Sequence, residues 1–503
     1  MEPLDAARLA WSPARVRLAL AALATFALLL SRGALAADAP PASPLLPPDH
    51  WSVRAAGRLH EIGLAPGWFP SQRAAPLVVV GRALTDAAVR AEREAPRQAA
   101  LTRAWVERFG REFPRWERAG VDAAALAGVA LGVGAAKGHV REDVPTGTQP
   151  AFIALDAPRD GVLGDLSAAA TVGQHLAAGL RLHADASGLS TPSAEVVGAL
   201  GPLALSVGRG PVGYGPNEVG AVVASGAAPI DRAELMTAAP LALGPLGYLA
   251  LDAVLARFTD ARHPYHPLLW QFQVQWRPHP RLTLGAIRGL MFAGTPWDGI
   301  SARDAVTGFV GVSNKAPGNN VYAVSGKYRL PSEALLPLTM NVEWGTDDNP
   351  GAAVQWPGLV AGISAPMLGP LPASLGVEVA YFGRGPFGYH DPFGWYAHSP
   401  YRGGWVSGKT PLGDPMGGNG RALRLTGAAD LWDARLRLVG VAWLQDRSSD
   451  NLYEPAAGGR SVGARGEAEW RFDRVALGVR GSYEHGRDGW SRGDLVGQAT
   501  VFF

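Results

Sequence analysis

Five short motifs carry residue types that can do chemistry. Gly208-x-Gly210-x-x-Gly213 has the letters of a dinucleotide-binding turn, but no strand–helix–strand pattern surrounds it, so it reads as a glycine-rich loop. Gly459-x-Ser461-x-Gly463 spells a nucleophile elbow, yet it sits in a turn before an alternating strand and opens no helix. His263 and His266 lie in a proline-broken segment without the helical setting of a zinc protease. Asp347-Asp348-Asn349 lacks the full ligand spacing of a calcium loop and reads as a solvated turn. His485 beside Glu484 would need a serine to form a hydrolase set, and no pattern supplies one; a histidine facing a wet interior is the plainer reading. No catalytic set, metal site or cofactor is expected, and the chain reads as non-enzymatic.

Two other stretches are unusual in composition. The first runs from Gly208-Arg209-Gly210-Pro211 through Tyr214-Gly215-Pro216-Asn217-Glu218-Val219-Gly220 to Ser225-Gly226-Ala227-Ala228-Pro229. The second runs from Tyr401-Arg402-Gly403-Gly404-Trp405 to Gly408, then Pro411-Leu412-Gly413-Asp414-Pro415-Met416-Gly417-Gly418-Asn419-Gly420. Both are glycine-dense and aromatic, and both lie between strand-like segments. Glycine lets backbone pack closely, so such loops can be ordered by packing into or over a larger body.

Alternation defines that body. In Trp270-Gln271-Phe272-Gln273-Val274-Gln275-Trp276-Arg277, apolar residues hold one parity and polar ones the other, which gives a strand one greasy and one wet face. The greasy face begins and ends in Trp, the residue enriched where membrane meets water. Similar segments recur at 172–184, 203–207, 248–258, 282–291, 321–330, 338–344, 375–382, 423–431, 436–444, 464–472, 475–483 and 495–503, with a weaker one at 121–140. In 464–472, Arg465, Glu467, Glu469 and Arg471 oppose Ala468, Trp470 and Phe472, a pattern that lipid excludes and a wet lumen accepts. A soluble sandwich also alternates. The recurrence up to Phe503, which resembles the terminal aromatic of outer-membrane proteins, favours a closed barrel with no edge left unpaired in hydrocarbon. About 380 residues follow Gly120; at roughly 20 residues per strand and connection they make around 18–20 strands.

The formal net charge is only +2, which carries no nucleic-acid footprint, and the absence of cysteine excludes disulfide and thiolate chemistry. Arg15 and Arg17 precede a short apolar run at 18–30, and Ala34-Leu35-Ala36 follows, so residues 1–36 read as a secretory signal peptide whose true start lies downstream of Met1. The run is short for a single membrane anchor. Residues 37–48 form a flexible lead-in. The segment 49–119 reads as a helical bundle: Asp49 as N-cap and Gly63 at C′ of a first helix, a second over 76–94, and a third from Pro96 to Phe113 with Leu101, Trp105 and Phe109 on one face. Three short amphipathic helices bury little alone, so they are expected to plug the periplasmic mouth of a barrel over 120–503. The alternative is a free domain touching the cell wall, since Pro48-Asp49-His50-Trp51 faintly resembles S-layer-homology modules.

The two glycine-rich stretches resemble those of the Wzi capsule-assembly family of Gram-negative outer membranes. The first is similar to the family's aromatic, Gly-Pro, small-residue and Ala-x-Pro pattern, and 245–257 and 269–290 continue the likeness, with Arg-Pro-x-Pro-x-Leu at 277–282. The second is similar to a Tyr/Gly-rich loop ending in Leu-Gly-x-Pro-x-Gly-Gly-x-Gly, and 49–113 resembles the family's N-terminal helices. Tyr214 stands where Trp is usual, and Asp414 where His is common. The resemblance implies a mainly β fold: a monomeric antiparallel transmembrane barrel of about 18 strands in outer-membrane lipid, with a small helical bundle at the periplasmic side. It also implies a lectin-like role, binding and anchoring capsular polysaccharide or exopolysaccharide at the cell surface, with no cofactor. Sugars are held by aromatic faces and planar polar groups. The long loops carry Trp395 and Tyr396 as well as the expected polysaccharide site: Trp297, Asp298, Tyr401, Arg402, Trp405, Lys409, Asp414 and Asn419. Trp405 and Tyr401 would stack on sugar rings, and Arg402 and Asn419 would bond hydroxyls. The competing account is that the 395–420 loop only seals the barrel. A diffusion porin lined by Gln271, Gln273, Gln275, Arg465 and Arg471 is the alternative function, and an outer-membrane hydrolase trails it.

Overall fold

The computed structural model describes residues 40–69, 74–114, 122–138, 161–186, 188–259, 264–295, 318–332, 336–347, 357–369, 371–383, 395–397, 401, 404–407, 410–448, 451–452, 459–487 and 489–503; the expected signal peptide lies outside them. Among the described residues, eighteen long strands form one closed antiparallel barrel. They are β1 (Asp122–Gly138), β2 (Gly161–Val172), β3 (Leu176–Asp185), β4 (Gly188–Leu200), β5 (Leu203–Gly213) and β6 (Ser225–Thr237). Next come β7 (Tyr248–Arg257), β8 (Leu268–His279), β9 (Leu282–Phe292), β10 (Gly318–Arg329), β11 (Thr339–Asp347) and β12 (Gly358–Ala365). The last are β13 (Ala373–Phe382), β14 (Gly420–Leu431), β15 (Leu436–Arg447), β16 (Gly459–Phe472), β17 (Val475–Gly486) and β18 (Ser491–Phe502). Each pairs with its neighbour in sequence, and β18 returns to β1 in a register that sets Arg492 against Gly138. Closure satisfies every edge, as a span through hydrocarbon requires. No described helix is long and apolar enough to cross a membrane.

Side-chain parity follows the sequence. Gln271, Gln273, Gln275 and Arg277 of β8 are buried in the lumen, while Trp276 is 39% exposed on the outside. Leu131, Val479 and Leu495 are exposed on the same outer surface. One rim has short turns, such as Asp473-Arg474 between β16 and β17, and carries exposed Trp432, Phe472 and Phe503, an aromatic belt. The other rim carries the longer connections. Four strands went unread in the sequence: β2, β4, β6 and β12. In each, Ala, Gly and Ser mute the alternation; β4 contains Pro192, and the start of β6 has the composition of a loop.

Three helices, α1 (Trp51–Glu61), α2 (Leu77–Glu94) and α3 (Pro96–Glu112), fill the short-turn mouth. His50, not Asp49, caps α1: its Nδ1 accepts from the Ser52 amide at 3.3 Å. Gly63 follows the C-cap at φ +87, the left-handed conformation that glycine takes without strain. Trp51, Leu59, Leu84, Trp105 and Phe109 form one core, which also includes Met367 and Ala434 from barrel turns. Ion pairs tie this core to the wall. Arg58 Nη1 lies 2.7 Å from Asp430 Oδ2 of β14, and Arg471 Nη1 of β16 lies 2.7 Å from Glu112 Oε2. Lys327 of β10 pairs with Glu61, Arg108 pairs with Glu469 of β16, and Arg277 Nη1 of β8 donates to the Trp68 carbonyl at 2.9 Å. Removing one partner of such a buried pair costs about 3–5 kcal/mol, so these contacts fix where the helices sit.

Candidate functional site

The β5–β6 loop turns inward and occupies the barrel. Its neck closes where the Tyr214 amide donates to the Ala224 carbonyl at 2.8 Å, the geometry of an Ω-loop. Two lumen carboxylates hold it by its backbone. Glu343 Oε1 of β11 accepts from the Val222 amide at 2.8 Å, and Glu378 Oε1 of β13 accepts from the Gly220 amide at 2.8 Å. Val219 N adds a bond to Glu378 Oε2 at 3.3 Å. Charge-assisted bonds of this kind are the strong ones, and here they are fully buried. Gly215 and Gly220 permit the approach, because a Cβ at either would run into these carboxylates. Asn217 meets Asn341, and Thr426 donates to Glu218 Oε2 at 3.0 Å.

The 395–420 loop packs onto the first from above. Arg424 of β14 joins them: Nη1 bonds Glu378 Oε1 at 2.8 Å and Asp414 Oδ2 at 2.9 Å, and Nη2 bonds Asp414 Oδ1 at 2.5 Å. Tyr396 OH donates to the Val222 carbonyl at 2.7 Å and accepts from the Asp414 amide at 3.0 Å. Burial, with the Asp414 and Glu343 charges adding to it, pushes the Tyr396 hydroxyl pKa well above its ordinary value, so it stays a donor. Trp405 Nε1 donates to the Val223 carbonyl at 2.8 Å, and its ring lies over Gly289 of β9, where a Cβ would collide with it. Trp395 packs edge to face against Phe382 and Tyr396, which are tilted against each other, with centroids 5.1–5.6 Å apart. Val222, Val223, Trp395, Tyr396, Tyr401, Trp405 and Met416 form one buried cluster across both loops.

The structure thus brings together Tyr401, Trp405, Asp414 and Asn419, but it buries all four. Tyr401 is 1% exposed and Trp405 0%, so neither presents a ring face for stacking in this conformation. Asp414 is spent on Arg424, and Asn419 Oδ1 accepts from the Trp395 amide at 3.0 Å. Trp297, Asp298, Arg402 and Lys409 lie outside the described residues. Tyr401 OH donates to the Ala293 carbonyl at 3.3 Å, which places the start of the connection bearing Trp297 and Asp298 beside the loop bearing Arg402. Sequence reasoning passed over Glu343, Glu378 and Arg424 as the anchors. Their signal was present: charges on the lumen parity of otherwise apolar strands.

The catalytic motifs resolve differently from their letters. Gly459-x-Ser461-x-Gly463 lies inside β16, not in a turn. Ser461 Oγ donates to Glu484 Oε1 at 2.8 Å in the lumen, while His485, on the opposite parity, faces outward and not into a wet interior. A Ser–His contact is absent there. Asp347 Oδ2 accepts from the Tyr396 amide at 2.8 Å; Asp348, Asn349 and His263 lie outside the described residues. The described residues hold no metal-type cluster of His and carboxylates.

The family of the capsule assembly protein Wzi matches residues 151–434, more than half of the chain. By sequence, the chain matches none of the curated proteins. Among solved structures it is similar to Wzi of Escherichia coli, described as an outer membrane protein involved in group 1 capsule assembly and a carbohydrate-binding β-barrel. The identity is 15% and the TM-score 0.71, over 92% of this chain and 100% of that one. Looser matches include two Pseudomonas aeruginosa proteins. OccK3 (OpdO) matches at 10% identity and TM-score 0.47 over 76% of this chain and 97% of its own, and OprD at 10% and 0.44 over 77% and 96%. The family match and the barrel agree: the chain belongs to the Wzi capsule assembly family and is an outer-membrane β-barrel.

Proposed function

We propose that this barrel binds capsular polysaccharide or exopolysaccharide at its outer face and anchors it at the cell surface, acting as a monomer in outer-membrane lipid and catalysing no reaction. The observation that carries the reading is the double lock of Glu343 and Glu378 on one loop and Arg424 on the other. It converts a wide lumen into a floor on which the outer connections stand, and rigid support of a binding surface lowers the entropy lost on capturing ligand. Trp297, Asp298, Arg402 and Lys409 are the proposed contacts. Tyr401, Trp405, Asp414 and Asn419 fix the loop that carries Arg402 and Lys409. The helices at the other mouth form the periplasmic plug. The carbohydrate binding of the Escherichia coli relative supports the same reading.

A diffusion porin needs an open lumen. Gln271, Gln273 and Gln275, its best lining residues, are each buried. The test is a deletion strain, with cell-bound and shed polysaccharide measured separately. The expected result is shedding, restored to retention by the intact gene; normal retention in the deletion strain would refute the proposal.

A further inference from the structure

Between the helical plug and the β5–β6 loop lies a chamber of about 120 Å³, walled by α1, the loop segment Pro216-Asn217-Glu218 and the lumen faces of β14 and β15. A water needs about 10–15 Å³ by this measure, so the space takes on the order of ten waters or one ligand of similar heavy-atom count. Four cationic side chains line it against three carboxylates. Lys327 is paired with Glu61, and Arg58 with Asp430. Arg437 makes no ion pair or hydrogen bond among the described residues; it is half-buried on the chamber wall, with Asp430 and Glu469 as its cross-strand neighbours. Trp105, another wall residue, has a buried Nε1 with no hydrogen-bond partner. A guanidinium with no bonded partner, on the wall of a chamber lined by one more cation than carboxylates, calls for an acceptor.

Gly57 gives an independent sign that the space is kept. It lies inside α1, where glycine weakens a helix relative to alanine, and it borders the chamber with nothing within 4 Å of where a Cβ would stand. A larger residue would fit there and fill the void.

We propose that this chamber is a binding site for a small hydroxylated carboxylate of hexuronate size, its carboxylate on Arg437 and its hydroxyls on Glu218 and Ser374. The site is separate from the proposed outer surface and shares no residue with it. The test is calorimetric titration of the detergent-purified full chain with glucuronate, glucose and acetate. Wild type should bind glucuronate saturably and both other probes at least tenfold more weakly. Arg437→Gln and Gly57→Leu should each weaken glucuronate at least tenfold, with heat-modifiable migration on gels showing that the barrel is intact. Gly57→Leu also removes a helix-interior glycine, so it keeps the test decisive should Arg437→Gln fail to assemble. Failure of wild type to bind glucuronate, equal binding of glucose or acetate, or unchanged affinity in Gly57→Leu would each overturn the proposal.

Discussion

Arg424 grips Asp414 with both guanidinium nitrogens, at 2.5 and 2.9 Å, and through Nη1 also reaches Glu378 at 2.8 Å. One side chain on the barrel wall thereby fastens the outer loop to the residue that fastens the inner loop.

Arg424→Ala leaves Asp414 and Glu378 buried without their cation, a loss of about 3–5 kcal/mol. The expected outcome is a barrel that still inserts but whose seal loosens. Single-channel recording should show conductance well above wild type, and surface polysaccharide should fall. Arg424→Lys, which keeps the charge but loses the fork, should recover only part of it.

Gly289→Val tests the seat of Trp405. The new side chain would overlap the indole ring and Val223, and overpacking of this kind costs about 1–3 kcal/mol. Amide exchange of residues 404–407 and 214–224 should rise together, because Trp405 Nε1 is bonded to Val223. Faster exchange in only one of the two segments would show that the loops are not locked to each other.

These anchors explain what was legible in the sequence. The alternation of 268–277 and 464–472 exposed the barrel, because each residue's face is set by parity alone. The two glycine-rich stretches stood out by composition, and the structure packs one on the other. Which side chain receives a loop amide depends on strand register and on where the loop folds, and neither is written locally. Glu343 therefore looked like any lumen charge. The N-cap slipped by one residue because His50, an uncommon cap, competes with Asp49 only once its ring is placed beside Ser52 and Glu112. Tyr401 and Trp405 have the residue types of a sugar platform and also of a core, and only burial distinguishes the two.

The plug should weaken in acid. Burial pulls the His60 pKa from 6.5 down to about 3, with Arg277 adding to it. Burial alone would raise the Glu112 carboxyl, but His50, Arg471 and Arg108 override that and hold it below its ordinary value of 4.5. Both groups have depressed folded values. Their stabilisation is therefore complete above the unfolded values and is lost as pH falls, from 6.5 downward for His60 and from 4.5 downward for Glu112. Hydrogen exchange in 51–112, corrected for intrinsic rates, should speed up between pH 7 and pH 4 while strand exchange stays flat. His60→Gln should remove the part between pH 6.5 and 4.5.

Val479 and Arg480 of β17 test the orientation of the wall. Val479 is exposed to the outside, whereas Arg480, the next residue, is buried in the lumen. Val479→Arg should cost about 2–4 kcal/mol in a lipid-based urea titration, a figure that assumes a place near the bilayer midplane. A change under about 0.5 kcal/mol, typical of a neutral surface site, would argue that this face does not meet lipid.

The central claim is that a sealed outer-membrane barrel holds polysaccharide on its outer face. The most direct measurement is titration of the purified, detergent-solubilised protein with the purified surface polysaccharide of its own cells, alongside planar-bilayer recording of the same preparation. The account predicts saturable binding that Arg402→Ala weakens, together with near-silent bilayers. No binding, with steady large conductance from the intact chain, would contradict it.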